Sequence, residues 1–447
     1  MARRRPAVGR SRHNGAAPPA LPLSTLTLAV ERIGADGAGR AEDSIDGIPR
    51  TYSIPFALPG ETVEARPLRH RRGGVDAELI RIVTPAPDRQ EPPCRHFGVC
   101  GGCALQHWAD DSYAAWKVAT IARALQGQGI DLPAMLPLVR SPPGSRRRAD
   151  FTLRRVRERG LVGFNQRGSH ALIDLEECPV IMPRIAALVA MLRQWLPRLL
   201  PADAAAEAVV NWTDTGADIL LVPDRRLPLD LDRRTALAGF ADSADVARLS
   251  WGGRATAEPV VTRRLPLIRL GRIDVTPPPG AFLQASLASE RVLKTAVADW
   301  LGPAHRVVDL YGGIGTLSLG LAPGRQVTVV EGDAAAVTAV EAATRQAALG
   351  GTVRVVRRDL ARDPLPADEL RRFDAAIFDP PRAGAAPQAA ELARSTLPTL
   401  IAVSCNPVTF ARDVRVLVDA GYRLERLLPI DQFLWSPHVE LAALLRR

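Results

Sequence analysis

The residues best suited to chemistry in this 447-residue chain are its five cysteines, which fall into two groups. Cys405 stands alone in Ser404-Cys405-Asn406-Pro407, at the end of the apolar run Thr399 to Val403. The run reads as a buried strand and Asn-Pro as the turn that stops it. A thiol at the carboxyl end of a strand lies where open α/β sheets keep their ligands. There it can be a nucleophile, a metal ligand or a small core residue. The other four are Cys94, Cys100 and Cys103, with a Gly-Gly pair between the last two, and Cys178 before Pro179. Three thiols this close, with glycines that let the backbone fold round a metal and a fourth thiol downstream, suit zinc or an iron–sulfur cluster. The spacing fits neither of the usual paired zinc knuckles and favours a 4Fe–4S cluster.

The elements that must position Cys405 begin near Pro277, where strands and helices start to alternate. Ser286 can cap an amphipathic helix running to about Leu301. Arg306 to Leu310 reads as a strand leading into Asp309-Leu310-Tyr311-Gly312-Gly313-Ile314-Gly315. The glycines permit a tight turn and close approach of a ligand at the N-terminus of a following helix. The next strand, Gln326 to Val330, ends at Glu331, whose carboxylate is placed to accept the ribose hydroxyls of an adenosine cofactor. Val353 to Arg357 precedes Asp359, placed to bond an adenine amino group, and Phe373 to Phe378 runs into Asp379-Pro380-Pro381-Arg382. Five successive strands thus deliver polar or glycine groups at their carboxyl ends, which implies one shared pocket. The glycine loop is neither a P-loop nor a full dinucleotide fingerprint, so an adenosine cofactor without a pyrophosphate, such as S-adenosylmethionine, fits better.

A thiolate beside an activated methyl donor points to methylation of a pyrimidine at C5. Carbon 5 of uracil is a poor nucleophile until a thiolate adds to C6, and a base must afterwards remove the C5 proton. Cys405 is the candidate nucleophile. Glu440, in Ser436-Pro437-His438-Val439-Glu440 before the apolar run Leu441 to Leu445, is the candidate base, with His438 read as structural.

Composition agrees with a nucleic-acid partner. The mixture is ordinary for globular domains, 47% hydrophobic and 24% charged, but the net charge is +10. That surplus favours a polyanion. Arginine carries nearly all of it, Lys117 and Lys294 being the only lysines. No apolar run is long enough to span a bilayer and no signal-peptide core follows the N-terminus, so the expectation is a cytoplasmic protein without membrane contact, working as a monomer. Residues 1–20, rich in arginine and proline, read as a disordered basic tail. Leu26 to Ile33, a glycine-rich turn over Gly34 to Gly39, then Thr51 to Phe56, Glu61 to Leu68 and Val75 to Thr84 suggest a small β-barrel. Its last turn, with Arg66, Arg69, His70, Arg71 and Arg72, is a candidate clamp for an RNA backbone. Beyond the cysteines, a helix over Tyr113 to Leu125, short strands between Ala149 and Leu175 and a helix over Arg184 to Leu200 are expected, while 201–275 carries no nameable motif.

Taken together, Ser404-Cys405-Asn406-Pro407, Asp379-Pro380-Pro381-Arg382, the glycine loop at 309–315 and the set Cys94, Cys100, Cys103, Cys178 resemble the RNA uracil-C5 methyltransferase family, which makes 5-methyluridine in tRNA and 23S rRNA. The resemblance covers nearly the whole chain. It implies an α/β fold: an OB-like TRAM barrel over 21–88, a central α+β domain with a 4Fe–4S cluster over 89–276, and a Rossmann-like class I methyltransferase domain over 277–447. It implies Cys405 as nucleophile and Glu440 as base. It further implies cofactor contacts at Gln284, Tyr311, Thr316, Glu331, Asp359 and Asp379, with S-adenosylmethionine as the methyl donor. The cysteines place the resemblance in the 23S rRNA branch, with tRNA as the alternative substrate. An amino-group methyltransferase and an iron–sulfur RNA-binding protein with an inactive methyltransferase domain are the competing readings. Gly312 and Ser286 depart from the family pattern, which often has cysteine and asparagine there.

Overall fold

The computed structural model describes residues 21, 24–45, 47–71 and 73–447, which divide into two compact units, Met1–Arg89 and Gln90–Arg447. The basic segment 1–20 and Arg72 lie outside the described residues.

In the first unit, five strands, β1 (Leu26–Ile33), β2 (Gly39–Ile45), β3 (Ile48–Ile54), β4 (Thr62–Arg71) and β5 (Gly74–Thr84), close into a barrel in the order β1-β2-β3-β5-β4. Alternate residues such as Leu28, Val30, Val63, Ala65, Val75 and Ala77 fill it, the period-2 pattern of a half-buried strand. β2 was not anticipated. Its sequence, GRAEDSI, holds few apolar residues, so pairing with β1 and β3 decides its state. The basic turn also differs from expectation, because Arg66, Arg69 and Arg71 lie along β4. There Arg66 pairs with Glu78, Arg69 with Asp76 at 2.9 Å, and Arg71 with both Asp36 and Asp76. Their charge is largely answered within the barrel.

Among the described residues the second unit holds two large sheets and a small two-stranded one, Ile268–Leu270 with Ile273–Val275. The first is seven-stranded and built from 148–262, and the helices Pro183–Leu199 and Leu231–Ser243 contribute to its core. It gives form to the stretch 201–275, where the strands Ala205–Thr213 and Gly216–Pro223 pair along their length. The second sheet has Val353–Arg357, Gln326–Glu331, Arg306–Leu310, Ala375–Phe378 and Thr399–Ser404 in parallel, in that order. It continues with Glu440–Arg446, antiparallel to both Thr399–Ser404 and Arg423–Asp431. The strand order reverses at Arg306–Leu310, the topological switch point where such sheets bind ligands.

Residues 90–276 and 277–447 fall within this one compact unit. Helix α1 (Asp110–Gln126) contributes Ile121 and Leu125 to the core of the second sheet, and two short strands, Ala134–Met135 and Val139–Arg140, pair with Arg423–Asp431. No helix among the described residues is long and apolar enough to cross a membrane.

Candidate active site

Cys405 follows the last residue of the strand Thr399–Ser404 and precedes the helix Pro407–Asp419. Asn406 caps that helix, its side-chain oxygen accepting from the Val408 N–H at 3.1 Å. The Asn406 amide and the Thr409 hydroxyl both donate to the Arg382 carbonyl, at 3.0 and 3.2 Å. The Asp-Pro-Pro-Arg loop is therefore tied to the turn that carries the thiol. On the other side of that strand, Ser404 pairs with Leu441 in antiparallel register. The next residues outward, Cys405 and Glu440, consequently stand side by side at the carboxyl edge of the sheet.

Burial pushes the Cys405 thiol up to about 11, helped by the negative charges of Glu440 and Asp379 and opposed by the Arg382 guanidinium. Glu440 is almost wholly buried, and burial first, then the charge of Asp379, drives its carboxyl well above the carboxylate range, eased by a hydrogen bond from Gln432. Asp379 is raised by burial too, with a donor in Gln284. His438 is held low, to about 4, first by burial and then by the adjacent Arg382, so its ring is neutral. That agrees with a structural part for this histidine.

The glycine loop beside these groups has the backbone of a ligand cradle. Tyr311, Gly313 and Gly315 have φ values of 62°, 56° and 78°. The region is uncommon for a tyrosine, and such residues cluster at functional sites. Glu331 accepts from the Gly313 N–H at 2.9 Å with one oxygen and from the Asp333 N–H at 2.7 Å with the other. Thr316 is half-buried in the same turn, and Asp359 is exposed at the end of the neighbouring strand. The turn does not run into an α-helix as expected; a 3-10 helix, Leu319–Gly324, follows instead. Gly312 has little room to be anything larger, since a Cβ there would come within 2.6 Å of Val329 and 3.0 Å of the Asp309 carboxylate.

Asp309 itself is buried with both carboxylate oxygens unpartnered, and the Ser318 hydroxyl that eases its shift does not reach bonding geometry. Burial raises it to about 7, with Asp379 and Glu331 adding repulsion. Four carboxylates, Asp309, Glu331, Asp359 and Asp379, gather around one glycine turn, two of them strongly desolvated, an arrangement that a cationic ligand would stabilise. S-adenosylmethionine, with its sulfonium and ammonium groups, matches that donor set.

Several residues that hold the site escaped sequence reasoning. Gln432 donates to Glu440 at 2.7 Å and to Gln284 at 2.8 Å, and Gln284 donates to Asp379 at 3.3 Å. Arg147, the middle of a basic triplet, is buried; it bonds the Gln284 carbonyl at 2.9 Å and pairs with Glu290. The loop between Asp431 and Glu440 is clamped from α1. Lys117 bonds Asp431 at 2.9 Å and also reaches the His438 carbonyl, while the Tyr113 hydroxyl donates to Asp431 at 2.7 Å. One signal was legible: Lys117 is one of only two lysines in an arginine-rich chain.

The four remaining cysteines come from two segments stitched to each other. The Arg95 N–H donates to Glu177 at 2.8 Å and the Glu176 N–H to the His96 ring at 3.0 Å, which draws Cys94 toward Cys178. The Gly102 N–H points at the Cys100 sulfur at 3.4 Å. Burial raises Cys94, Cys100 and Cys103, the last to about 12, and each also feels the charge of Cys178. Among the described residues no three cysteine, histidine or acidic side chains converge closely enough to hold a single metal ion.

The chain is similar to known RNA methyltransferases. Residues 280–447 match the family model described as tRNA (Uracil-5-)-methyltransferase. A protein of Brucella suis named as an RNA methyltransferase is 43% identical over 423 residues, covering 95% of this chain and 98% of the relative. The 23S rRNA (uracil(1939)-C(5))-methyltransferase RlmD of Halomonas elongata is 34% identical over 481 residues, covering 100% of this chain and 96% of the relative. Among solved structures, the Pyrococcus abyssi tRNA (uracil-54, C5)-methyltransferase in complex with S-adenosyl-L-homocysteine superposes with a TM-score of 0.70 at 22% identity, over 94% of this chain and 100% of that one. That likeness speaks to the fold.

Proposed function

Since this chain belongs to the RNA uracil-C5 methyltransferase family and is an S-adenosylmethionine-dependent enzyme of that class, we propose that it methylates a specific uridine of 23S rRNA through a covalent adduct at Cys405. The substrate follows the relative named for 23S rRNA, which aligns along the whole chain. The observation that carries the mechanism is the cross-strand pairing of Ser404 with Leu441, which sets the Cys405 thiol beside the Glu440 carboxyl.

The target base must leave its stack to reach this buried edge. The Cys405 thiolate bonds to C6, and the electrons of the C5–C6 double bond move onto the ring as an enolate. S-adenosylmethionine, when bound, would supply the electrophilic methyl to C5 of this enolate, its S–CH3 bond breaking to leave S-adenosylhomocysteine. Glu440 then removes the C5 proton, the double bond re-forms, and the C6–sulfur bond breaks to return the thiolate. Burial suits Glu440 to this step, because a desolvated carboxylate is a stronger base than an exposed one. Gln284, Tyr311, Thr316, Glu331, Asp359 and Asp379 line the methyl-donor side, with Glu331 and the Gly313 amide at the cradle. Cys94, Cys100, Cys103 and Cys178 would hold a 4Fe–4S cluster, whose irons would neutralise thiolates that otherwise repel one another. The barrel over 21–88 would grip the RNA.

The test is methyl transfer from labelled S-adenosylmethionine to unmodified 23S rRNA. 5-Methyluridine should form with the native protein, and Cys405→Ala should yield none. Methyl transfer persisting in Cys405→Ala would overturn the covalent route.

A further inference from the structure

Two buried side chains, Gln284 and Gln432, separate Asp379 on the methyl-donor side from Glu440 beside the thiol, and Gln432 has no assigned part. Gln432 is 3% exposed and sits directly after the strand Arg423–Asp431. Its amide orientation is dictated by its neighbours. The Ala285 N–H can only donate, and it meets Oε1 of Gln432 at 3.0 Å. The amide nitrogen must therefore face the other way, where its two hydrogens go to Oε1 of Gln284 at 2.8 Å and Oε2 of Glu440 at 2.7 Å. Accepting through its oxygen leaves Gln284 to present its own nitrogen to Asp379, at 3.3 Å. A single backbone N–H thus sets the direction of the whole chain of bonds, and every polar atom of Gln432 is used. Among the described residues it is the only side chain that donates to Glu440.

We propose that Gln432 is a positioning residue for removal of the C5 proton: it holds Oε2 of Glu440 so that Oε1 faces the target carbon. The inference rests on Glu440 being the base. The bond from Gln432 is charge-assisted while Glu440 is ionised and weaker once Glu440 has taken the proton. Removing it therefore disfavours the ionised, competent form of the base. Thiolate addition and methyl transfer do not use Glu440 and are left alone. The predicted defect falls on one half of the reaction.

Gln432→Met, close in volume and without donors, separates the halves when assayed as the full chain with two RNAs. On RNA carrying 5-fluorouridine at the target, C5 has no proton to lose, so the reaction stops at the methylated covalent adduct. Adduct formation should stay within about twofold of the native protein, which also reports that the variant is folded and binds its methyl donor. On ordinary RNA, release of 5-methyluridine should fall about tenfold or more, covalent protein–RNA complex should accumulate, and the acidic limb of the kcat profile should move to higher pH. Equal losses on both RNAs with an unmoved profile would assign Gln432 a purely structural part and overturn the proposal. Glu440→Gln runs beside it. If that variant releases product normally, the assignment of the base fails. If it traps the complex while Gln432→Met does not, only the positioning role fails.

Discussion

Lys117 offers the sharpest check on how the loop bearing Glu440 is held. Its ammonium and the Asp431 carboxylate are both fully buried, 2.9 Å apart, and Lys117 also donates to the carbonyls of Phe433 and His438. Lys117→Met keeps the apolar stem but strands a desolvated carboxylate whose other partner is Tyr113. Breaking a buried pair from one side costs about 3–5 kcal/mol. A unit as large as 90–447 converts that into a fall in Tm of about 6–10 °C, at roughly 2 °C per kcal/mol. Adding Asp431→Asn removes the stranded charge and leaves an acceptor for Tyr113. The double variant should then recover part of the loss, the remainder being two carbonyls without their donor, each about 1–3 kcal/mol at most. Activity should not recover with it, because His438 and Phe433 still lack their anchor and Glu440 lies at the end of that loop. The assay is a melting curve for the native protein, both singles and the double, alongside methyl transfer to RNA. A Lys117→Met protein melting within 2 °C of the native one would refute the ledger. A double variant no more stable than Lys117→Met would refute the attribution to charge.

Two further outcomes follow from the same charges. Because the Cys405 thiol is held up to about 11 and Arg382 works against that rise, alkylation by iodoacetamide should increase with pH through the alkaline range; Arg382→Leu should raise the thiol further and slow alkylation at pH 8. Arg382 is exposed, so the change should be about twofold to threefold, and an unchanged rate would remove Arg382 as an influence on the sulfur. Anaerobic treatment with iron and sulfide should give a brown protein with broad absorption near about 400 nm and about four irons per chain. Cys178→Ser should diminish both, whereas a colourless protein that instead retains stoichiometric zinc would replace the cluster with a single-metal reading.

The parts of the fold that could be read from sequence are those whose own residues decide their state. Arg306–Leu310, Gln326–Glu331 and Thr399–Ser404 each centre on buried valine, leucine, isoleucine or alanine, and each carries or leads into a polar or glycine residue at the site. Ser286 was legible as a cap because its hydroxyl accepts from the Ser289 N–H three residues on. What stayed hidden depends on partners distant in the chain. Arg423–Asp431 carries Arg423, Glu425, Arg426 and Pro429, and it is a strand because Glu440–Arg446 lies beside it. Gln432 has no local signature, since its part is defined by Ala285, Gln284 and Glu440. Within the Arg146-Arg147-Arg148 triplet nothing local marks Arg147 as the one that faces inward, to Glu290 and the Gln284 backbone.

The same long-range dependence explains why the cysteine-bearing segment shares a body with the methyltransferase sheet. The N–H groups of Ala104 and Leu105, immediately after Cys103, both donate to the Trp435 carbonyl, at 2.8 and 3.1 Å. Trp435 has φ of 57°, a conformation that needs outside support, and its own N–H is bound by the Tyr113 hydroxyl at 2.8 Å. The loop from Gln432 to Val439 is thus held by residues 104, 105, 113 and 117, all on the stretch that follows the three clustered cysteines. Residues 277–447 supply the acid, the sulfur, the glycine cradle and the strand pairing that relates acid to sulfur, but the loop that leads into Glu440 is anchored from outside them. Whatever fixes the backbone at Cys103 therefore bears on the position of Glu440 through two hydrogen bonds and one carbonyl.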